Sequence, residues 1–343
     1  MDYRISIVIA ILLAISPVIH SIDFEDYDED VAALLREYQN QSNPDQSYTP
    51  SILSYSTAKT SKTIVDFERG IIYMNASTPE TLRDAIIDVV LTQIDPSVID
   101  AQTAIDFGLI NEETNKPFFW GQVLDHKGKP ISSRRPALDF ANFLLRTKTF
   151  SDGRFEVTIR MIDAHKKIAG AKYVSFVKAA CLEYSVSSSL VMAIMETESS
   201  FNPLARSRSN ALGLMQVKAN TAGRDYFSLI KGYKHTPSSK FLYSPKNNIE
   251  VATGYLNILS SRYLRGIEDP KKLEYAMISS YNGGAGNLWK SLDKSGNKTK
   301  ALKRINQMST KQFYWFLTNR HIRQETREYL KKVNDRKSKY TLI

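Results

Sequence analysis

The segment Ser187-Ser-Ser-Leu-Val-Met-Ala-Ile-Met-Glu-Thr-Glu-Ser-Ser200 has the spacing of a helix opened by a serine. At about 100° per residue, with Leu190 at zero, Ile194 falls at about 40°, Val191 at about 100° and Met195 at about 140°. Glu198 falls at about 80°, in the middle of that apolar stripe, and Glu196 at about 240°, on the other side. A carboxylate on a buried face is costly unless it is partnered or protonated. Desolvation raises its pKa, which suits a general acid near neutral pH. A buried Glu held by an arginine or by backbone donors would explain the same placement without any chemistry. The two acids point about 160° apart, so they do not form the carboxylate pair of an ordinary glycosidase.

Downstream, Asn202-Pro203 ends the helix at a turn. Ser207 and Gln216 flank a Gly213-Leu-Met215 turn and could line a cleft beside the helix end. A second candidate stretch, Ser279-Ser-Tyr-Asn-Gly-Gly-Ala-Gly286, follows an apolar helix. It lacks the spacings of phosphate-binding loops. The other reading is a helix end that projects Tyr281 and Asn282 into a groove while the glycines let a ligand approach the backbone.

Other chemistries are poorly supplied. The chain has 343 residues and one cysteine, Cys181, which excludes an intramolecular disulfide framework and a cysteine-rich zinc site. Cys181 lies in an apolar stretch and reads as a core thiol. The five histidines are scattered, so neither a metal nor a cofactor is expected. Residues 1–170 hold 17 Lys+Arg against 24 Asp+Glu, a net −7, and residues 171–343 hold 29 against 12, a net +17. The basic half favours a polyanionic partner. The N-terminus reads as a signal peptide over 1–21: Arg4, then an apolar run of about fifteen residues from Ile5, short for a membrane span. Export makes intracellular nucleic-acid binding a poor fit, and no basic recognition helix with base-reading spacing is visible.

The elements that must position these residues divide the chain. Asp28 to Gln39 has helical spacing, and Gln39 to Ser61 reads as a polar loop. Thr63–Phe67 and Ile71–Asn75 read as a hairpin turning at Gly70. A helix opens at Ser77-Thr-Pro-Glu80 and runs to about Gln93. Phe118–Leu124 and Phe155–Ile162 read as further strands. Residues 22–165 are therefore expected to form a small α+β domain of unknown role. Helical periods dominate from Asp163, over 170–185, 187–200, 247–264, 270–281 and 322–334, and predict a mainly α domain over 166–343. The tail after Asn334, with Arg336, Lys337 and Lys339, reads as a solvated basic end.

Four short motifs then occur in order: Glu198-Ser, Gly213-Leu-Met-Gln216, Tyr281-Asn-x-Gly284 and Glu325-Thr-Arg-x-Tyr-Leu-x-x-Val333. Together they resemble the soluble-lytic-transglycosylase domain, a lysozyme-like helical fold of goose type. Upstream, the hairpin around Asp66-Phe67 and the segment Phe118-Phe-Trp-Gly-Gln-Val123 extend the resemblance over nearly the whole mature chain, to a membrane-bound branch of the family. The resemblance implies that Glu198 is the sole catalytic acid/base. It also implies that Ser207, Met215, Gln216, Tyr255, Tyr281, Asn282 and Tyr329 line a saccharide groove. The implied substrate is peptidoglycan, cut between N-acetylmuramic acid and N-acetylglucosamine with a 1,6-anhydro end, in cell-wall remodelling. Tyr329 or Tyr281 could orient Glu198. A catalytically silent peptidoglycan-binding scaffold is the competing reading. The third motif begins Ser-Tyr-Asn where Ala-Tyr-Asn is usual, and Leu330 stands where Val is common. The lipid-bearing cysteine of the membrane-bound branch is missing. The expected location is the periplasm of a Gram-negative bacterium, in solution or peripheral to the outer membrane, with glycan strands as partner and no nucleic acid.

Overall fold

Residues 61–76 alternate in burial, Ser61, Thr63 and Val65 inward on one strand and Ile72, Met74 and Ala76 inward on the next. In the computed structural model, which describes residues 50–57, 61–92 and 116–342, this alternation gives strands β2 (Ser61–Asp66) and β3 (Ile71–Ala76), joined at Gly70. Gly70 has φ +67°, and a Cβ there would lie 2.8 Å from the His165 ring, so the turn requires glycine. β1 (Ile52–Thr57), β4 (Thr149–Ser151) and β5 (Arg154–Arg160) complete an antiparallel sheet in the order β1-β2-β3-β5-β4. Its inner face, Val65, Ile72, Met74, Val157 and Ile159, packs on α1 (Pro79–Leu91) through Leu82, Ile86, Val89 and Val90. Thr78 caps α1, its hydroxyl accepting from the Thr81 N–H at 3.1 Å, with Pro79 at the first turn. Helix α2 (Arg134–Leu144) packs against α1.

Two expectations in this half are corrected. Part of the polar stretch 39–61 is strand β1, paired in register from Ile52↔Asp66 to Thr57↔Ser61. Its Ser/Thr-rich composition reads as loop, but β2 offers it an edge to pair with. Phe118–Leu124 is not a strand. A strand would send Phe118 and Phe119 to opposite faces, whereas both rings join one cluster, 5.0 Å apart, with Phe119 stacked 6.2 Å from Phe67. The chain turns there at Gly121, φ +75°. The signal region 1–21, the helix expected over 28–39 and most of the loop 39–61 lie outside the described residues.

The second half is helical: α3 (His165–Ala171), α4 (Val174–Tyr184), α5 (Ser188–Ser199), α6 (Pro245–Ile258), α7 (Pro270–Gly283), α8 (Ala285–Leu292), α9 (Lys298–Gln307), α10 (Thr310–Arg320) and α11 (Gln324–Lys337). A two-stranded hairpin, β6 (Ala211–Leu212) and β7 (Val217–Lys218), carries the Gly-Leu-Met-Gln turn. Helix α5 lies at the centre: every residue from Leu190 to Met195 is at most 2 % exposed. It packs against α4 and α11, and α7 packs against α11. Helices α8, α9 and α10 lie outside the helical spans expected from the sequence. Basic α9 buries only Ala301 and Ile305, and its C-terminal end is closed from outside. Buried Lys272 of α7 donates to the carbonyls of Ile305, Asn306 and Met308 at 3.0–3.3 Å. The tail is also corrected. Helix α11 continues to Lys337, and a turn over Ser338–Tyr340 buries Tyr340. Among the described residues no helix is long and apolar enough to cross a membrane.

Candidate active site

Helix α5 brings Glu198 to its last turn, half-buried. The chain leaves through Ser200 and Phe201, both at positive φ (+52° and +67°) although neither is glycine. The neighbouring Ser199 hydroxyl donates to the Leu214 carbonyl at 2.8 Å and ties the helix end to the β6–β7 turn. That turn is held from the other side by Asn248 of α6, which is fully buried. Its Oδ1 accepts from the Met215 N–H at 2.8 Å, and its Nδ2 donates to the carbonyls of Leu212 (2.8 Å) and Leu242 (2.7 Å). The fit leaves no space at Gly213: φ is +72°, and a Cβ would sit 2.4 Å from Asn248 Nδ2.

Helices α7 and α11 supply the opposite wall. The Tyr329 hydroxyl donates to Glu198 Oε1 at 2.7 Å. The Tyr281 hydroxyl donates to the Met215 carbonyl at 2.8 Å, and its ring lies 6.1 Å from that of Tyr255. Asn282 donates to Glu325 at 3.2 Å and accepts from Thr326 at 2.7 Å. Thr326 in turn rests on Gly283, where a Cβ would meet its hydroxyl at 2.7 Å. Burial pushes the Glu198 carboxyl up to about 7, helped by the charge of Glu325 and opposed by the Tyr329 hydrogen bond and by Lys218. Burial and the Glu198 charge hold both Tyr281 and Tyr329 well above the usual phenol range, so they stay protonated donors.

The structure thus joins Glu198 directly to Tyr329, and Tyr281 to Tyr255 and to the Met215 backbone. Between the two tyrosines named in the sequence reading, Tyr329 holds the carboxylate. The Met215 side chain is fully buried in the core, so this residue faces the site only through its backbone. Ser207 closes its own turn, accepting from the Ala211 N–H at 3.0 Å. Gln216 spends its amide N–H groups on the carbonyls of Ala205 and Gly213, both at 3.0 Å, and leaves a buried Oε1 without a protein partner. It therefore offers an acceptor, not a donor. Asn248 is not singled out by the sequence, because a single polar residue in a helix carries no signal that it closes a distant loop. Ser199 and Thr326 stand in the first and fourth motifs, but the sequence assigns them no role; the structure shows each tying its helix to a distant segment.

Glu196 reverses its expected place. It is 1 % exposed. Its carboxylate takes Lys339 at 2.9 Å, the Tyr340 hydroxyl at 2.7 Å and Arg336 Nε at 3.5 Å. The helical wheel put it opposite the apolar stripe, but α5 is buried on all sides, so the far side is also interior. The residue held by an arginine is Glu196, not Glu198. Cys181 is buried as expected. Among the described residues no group of three or more His, Cys, Asp or Glu could hold a metal ion.

Comparison with known proteins places this arrangement. A family model described as the transglycosylase SLT domain matches residues 175–303. Another, the N-terminal domain of membrane-bound lytic murein transglycosylase C, matches residues 31–172. The membrane-bound lytic murein transglycosylase C of Edwardsiella ictaluri is 41 % identical over 301 residues, covering 85 % of this chain and 82 % of the relative. The protein of the same name from Salmonella typhimurium is 41 % identical over 297 residues, covering 84 % and 81 %. Among solved structures, the 70 kDa soluble lytic transglycosylase of Escherichia coli matches 48 % of this chain and 23 % of its own at 24 % identity, with a TM-score of 0.37. On the identity and the share of the curated relatives covered, the chain belongs to the membrane-bound lytic murein transglycosylase C family.

Proposed function

We propose that this peptidoglycan lytic transglycosylase cuts the β-1,4 bond between N-acetylmuramic acid and N-acetylglucosamine with Glu198 as its one acid and base. The observation that carries this reading is the state of Glu198: half-buried, raised to about 7, and oriented by Tyr329 at 2.7 Å. A carboxyl of that pKa donates and accepts a proton with similar ease near neutral pH. Two neighbouring acids, Glu196 on the same helix and Glu325 on α11, are engaged elsewhere. Glu196 is locked by three partners, and Glu325 is exposed and bound to Arg323 at 3.2 Å and to Asn282. Neither is free to act as the second carboxylate of a hydrolase.

Protonated Glu198 gives its proton to the glycosidic oxygen, and the bond from that oxygen to the muramoyl C1 breaks. The acetamido oxygen of the muramoyl residue stabilises the positive charge at C1. Ionised Glu198 then takes the proton of the muramoyl 6-hydroxyl as its oxygen bonds to C1, closing the 1,6-anhydro ring. No water is consumed and Glu198 ends protonated again. The intramolecular hydroxyl competes with water at an effective concentration that reaches roughly 10⁵ M for well-placed groups. Gln216 Oε1 would accept the acetamido N–H, and Ser207, Tyr255, Tyr281 and Asn282 would line the groove. Mass spectrometry of sacculus digests made in ¹⁸O-water tests this. Anhydro ends without label are expected, and label at most new muramoyl ends would make the enzyme a hydrolase.

The mature protein would act in the periplasm, free or peripherally attached at the outer membrane. The apolar run from Ile5 supports export. Fractionation of cells with sequencing of the mature N-terminus checks it. A lipid-modified chain would contradict it.

A further inference from the structure

Five charged groups from distant parts of the sequence, Glu68, Lys166, Glu196, Arg336 and Lys339, meet behind the candidate active site. Glu68, at the turn between β2 and β3, accepts from Lys166 Nζ at 2.7 Å, from Arg336 at 3.0 Å and from the Ser200 hydroxyl. Arg336 spans from Glu68 to the end of α5, donating to the Glu196 carbonyl at 2.9 Å with its Nε 3.5 Å from the Glu196 carboxylate. Lys339 and Tyr340 close the far side of Glu196. Asn202, just past the same helix end, donates to the Pro50 carbonyl at 2.9 Å beside β1.

The geometry has a consequence for Glu198. Helices α5 and α11 touch through two polar contacts, Glu196 with Arg336 and Glu198 with Tyr329. Tyr329 and Arg336 are seven residues apart on α11, two turns along one face, or about 10 Å. Two attachments so spaced fix both the slide and the rotation of α11 against α5. Removing one leaves the apolar packing of Leu330 and Val333 in place but takes away one of the two directional contacts that set the register. A carboxylate–phenol hydrogen bond is short and directional, so it reports a shift in register at once. We propose that Glu196 and Arg336, braced by Glu68 of the sheet-bearing half, are positioning residues that hold Tyr329 in register with Glu198. The sheet-bearing half thereby acquires a role: it secures the catalytic helix from behind. This rests on Glu198 being the acid/base.

The groups facing Glu198 are Tyr329 and Glu325 from α11, Tyr281 from α7 and Lys218 from β7. Tyr329 lowers the Glu198 pKa, so loosening its contact moves that pKa further up. The test uses Arg336→Met, Arg336→Lys and, because its side chain is partly exposed, Glu68→Gln, all in the full chain. Carbon-13 titration of the Glu198 carboxyl reads the positioning without reference to turnover. Kinetics on a soluble glycan give kcat and KM, and thermal unfolding shows that each variant is folded.

Arg336→Met is expected to raise the Glu198 midpoint and to lower kcat by about tenfold or more with KM little changed, as small misplacements of a catalytic group do. Glu68→Gln should shift both in the same direction by less, and Arg336→Lys should recover part of the loss. An unmoved Glu198 midpoint in folded Arg336→Met and Glu68→Gln overturns the proposal, even if the variants are less stable. Were Glu198→Gln to remain active while the midpoint moves, the positioning would stand and the catalytic reading would fall.

Discussion

Burial favours the protonated form of Glu198, and with Glu198 as the proposed acid and base this one carboxyl would set the pH dependence of the reaction as well as part of that of the fold. As a general acid Glu198 must be protonated, so activity is expected to fall as pH rises through about 7. Glu198→Gln should lose roughly 10²–10⁴ in rate or more, since one residue serves as acid and base. Release of soluble fragments from sacculi measures it, and activity within a few-fold of the unmodified enzyme would refute the assignment. Its pKa in the folded chain lies above the ordinary 4.5. The folded chain therefore binds the proton more tightly than the unfolded one, and stability falls as pH rises from about 4.5 to about 7. Glu198→Gln removes that cost. It should stabilise the fold by on the order of 2 kcal/mol above the upper value and by nothing below the lower one, read by thermal unfolding at pH 4 and pH 8. Tyr329→Phe removes a hydrogen bond to the charged form. It should move the pH–rate midpoint up by about one unit, for a charged hydrogen bond of about 1.5 kcal/mol.

Among the elements, the β6–β7 turn depends on contacts its own sequence does not show. Gly213-Leu-Met-Gln216 was legible as a tight turn, but its conformation is imposed by Asn248 from α6, which binds Met215 N–H, Leu212 O and Leu242 O together. Asn248→Ala strands those buried groups and should cost about 2–4 kcal/mol in denaturant unfolding, with loss of activity because Met215 and Gln216 move. Gly213→Ala combines a positive φ with a 2.4 Å clash and should be at least as damaging. Helix α5 teaches the limit of the helical wheel. The wheel assumes that one face is wet. It placed Glu198 within the apolar stripe, but Glu196 reads as solvent-facing only until α11 and its C-terminal turn cover that side.

For the molecule as a whole, the +17 half meets a substrate whose stem peptides carry carboxylates. Binding to sacculi is expected to weaken steadily as salt rises from 50 to 500 mM, because exposed lysines are screened within about 10 Å at 0.1 M. A pull-down of Glu198→Gln with sacculi over that range checks it, and salt-independent binding would assign affinity to the groove alone.

The amino-acid sequence alone determined what local pattern and motif order can carry: the β2–β3 hairpin, the capped helix α1, the helices of the second half with clear apolar periods, and the succession Glu198, Gly213–Gln216, Tyr281–Asn282, Tyr329. Each depends on residues close in the chain, or on motif order. Only the tertiary structure decided which tyrosine holds Glu198, that Glu196 is buried, that β1 pairs, and that the basic end beyond Asn334 is a clamp rather than a tail. These rest on pairs such as Glu68–Arg336, Glu196–Tyr340 and Asn202–Pro50. Whether a charged or polar side chain is paired or solvated depends on what another segment places beside it, and burial by such a segment changes that balance by several kcal/mol.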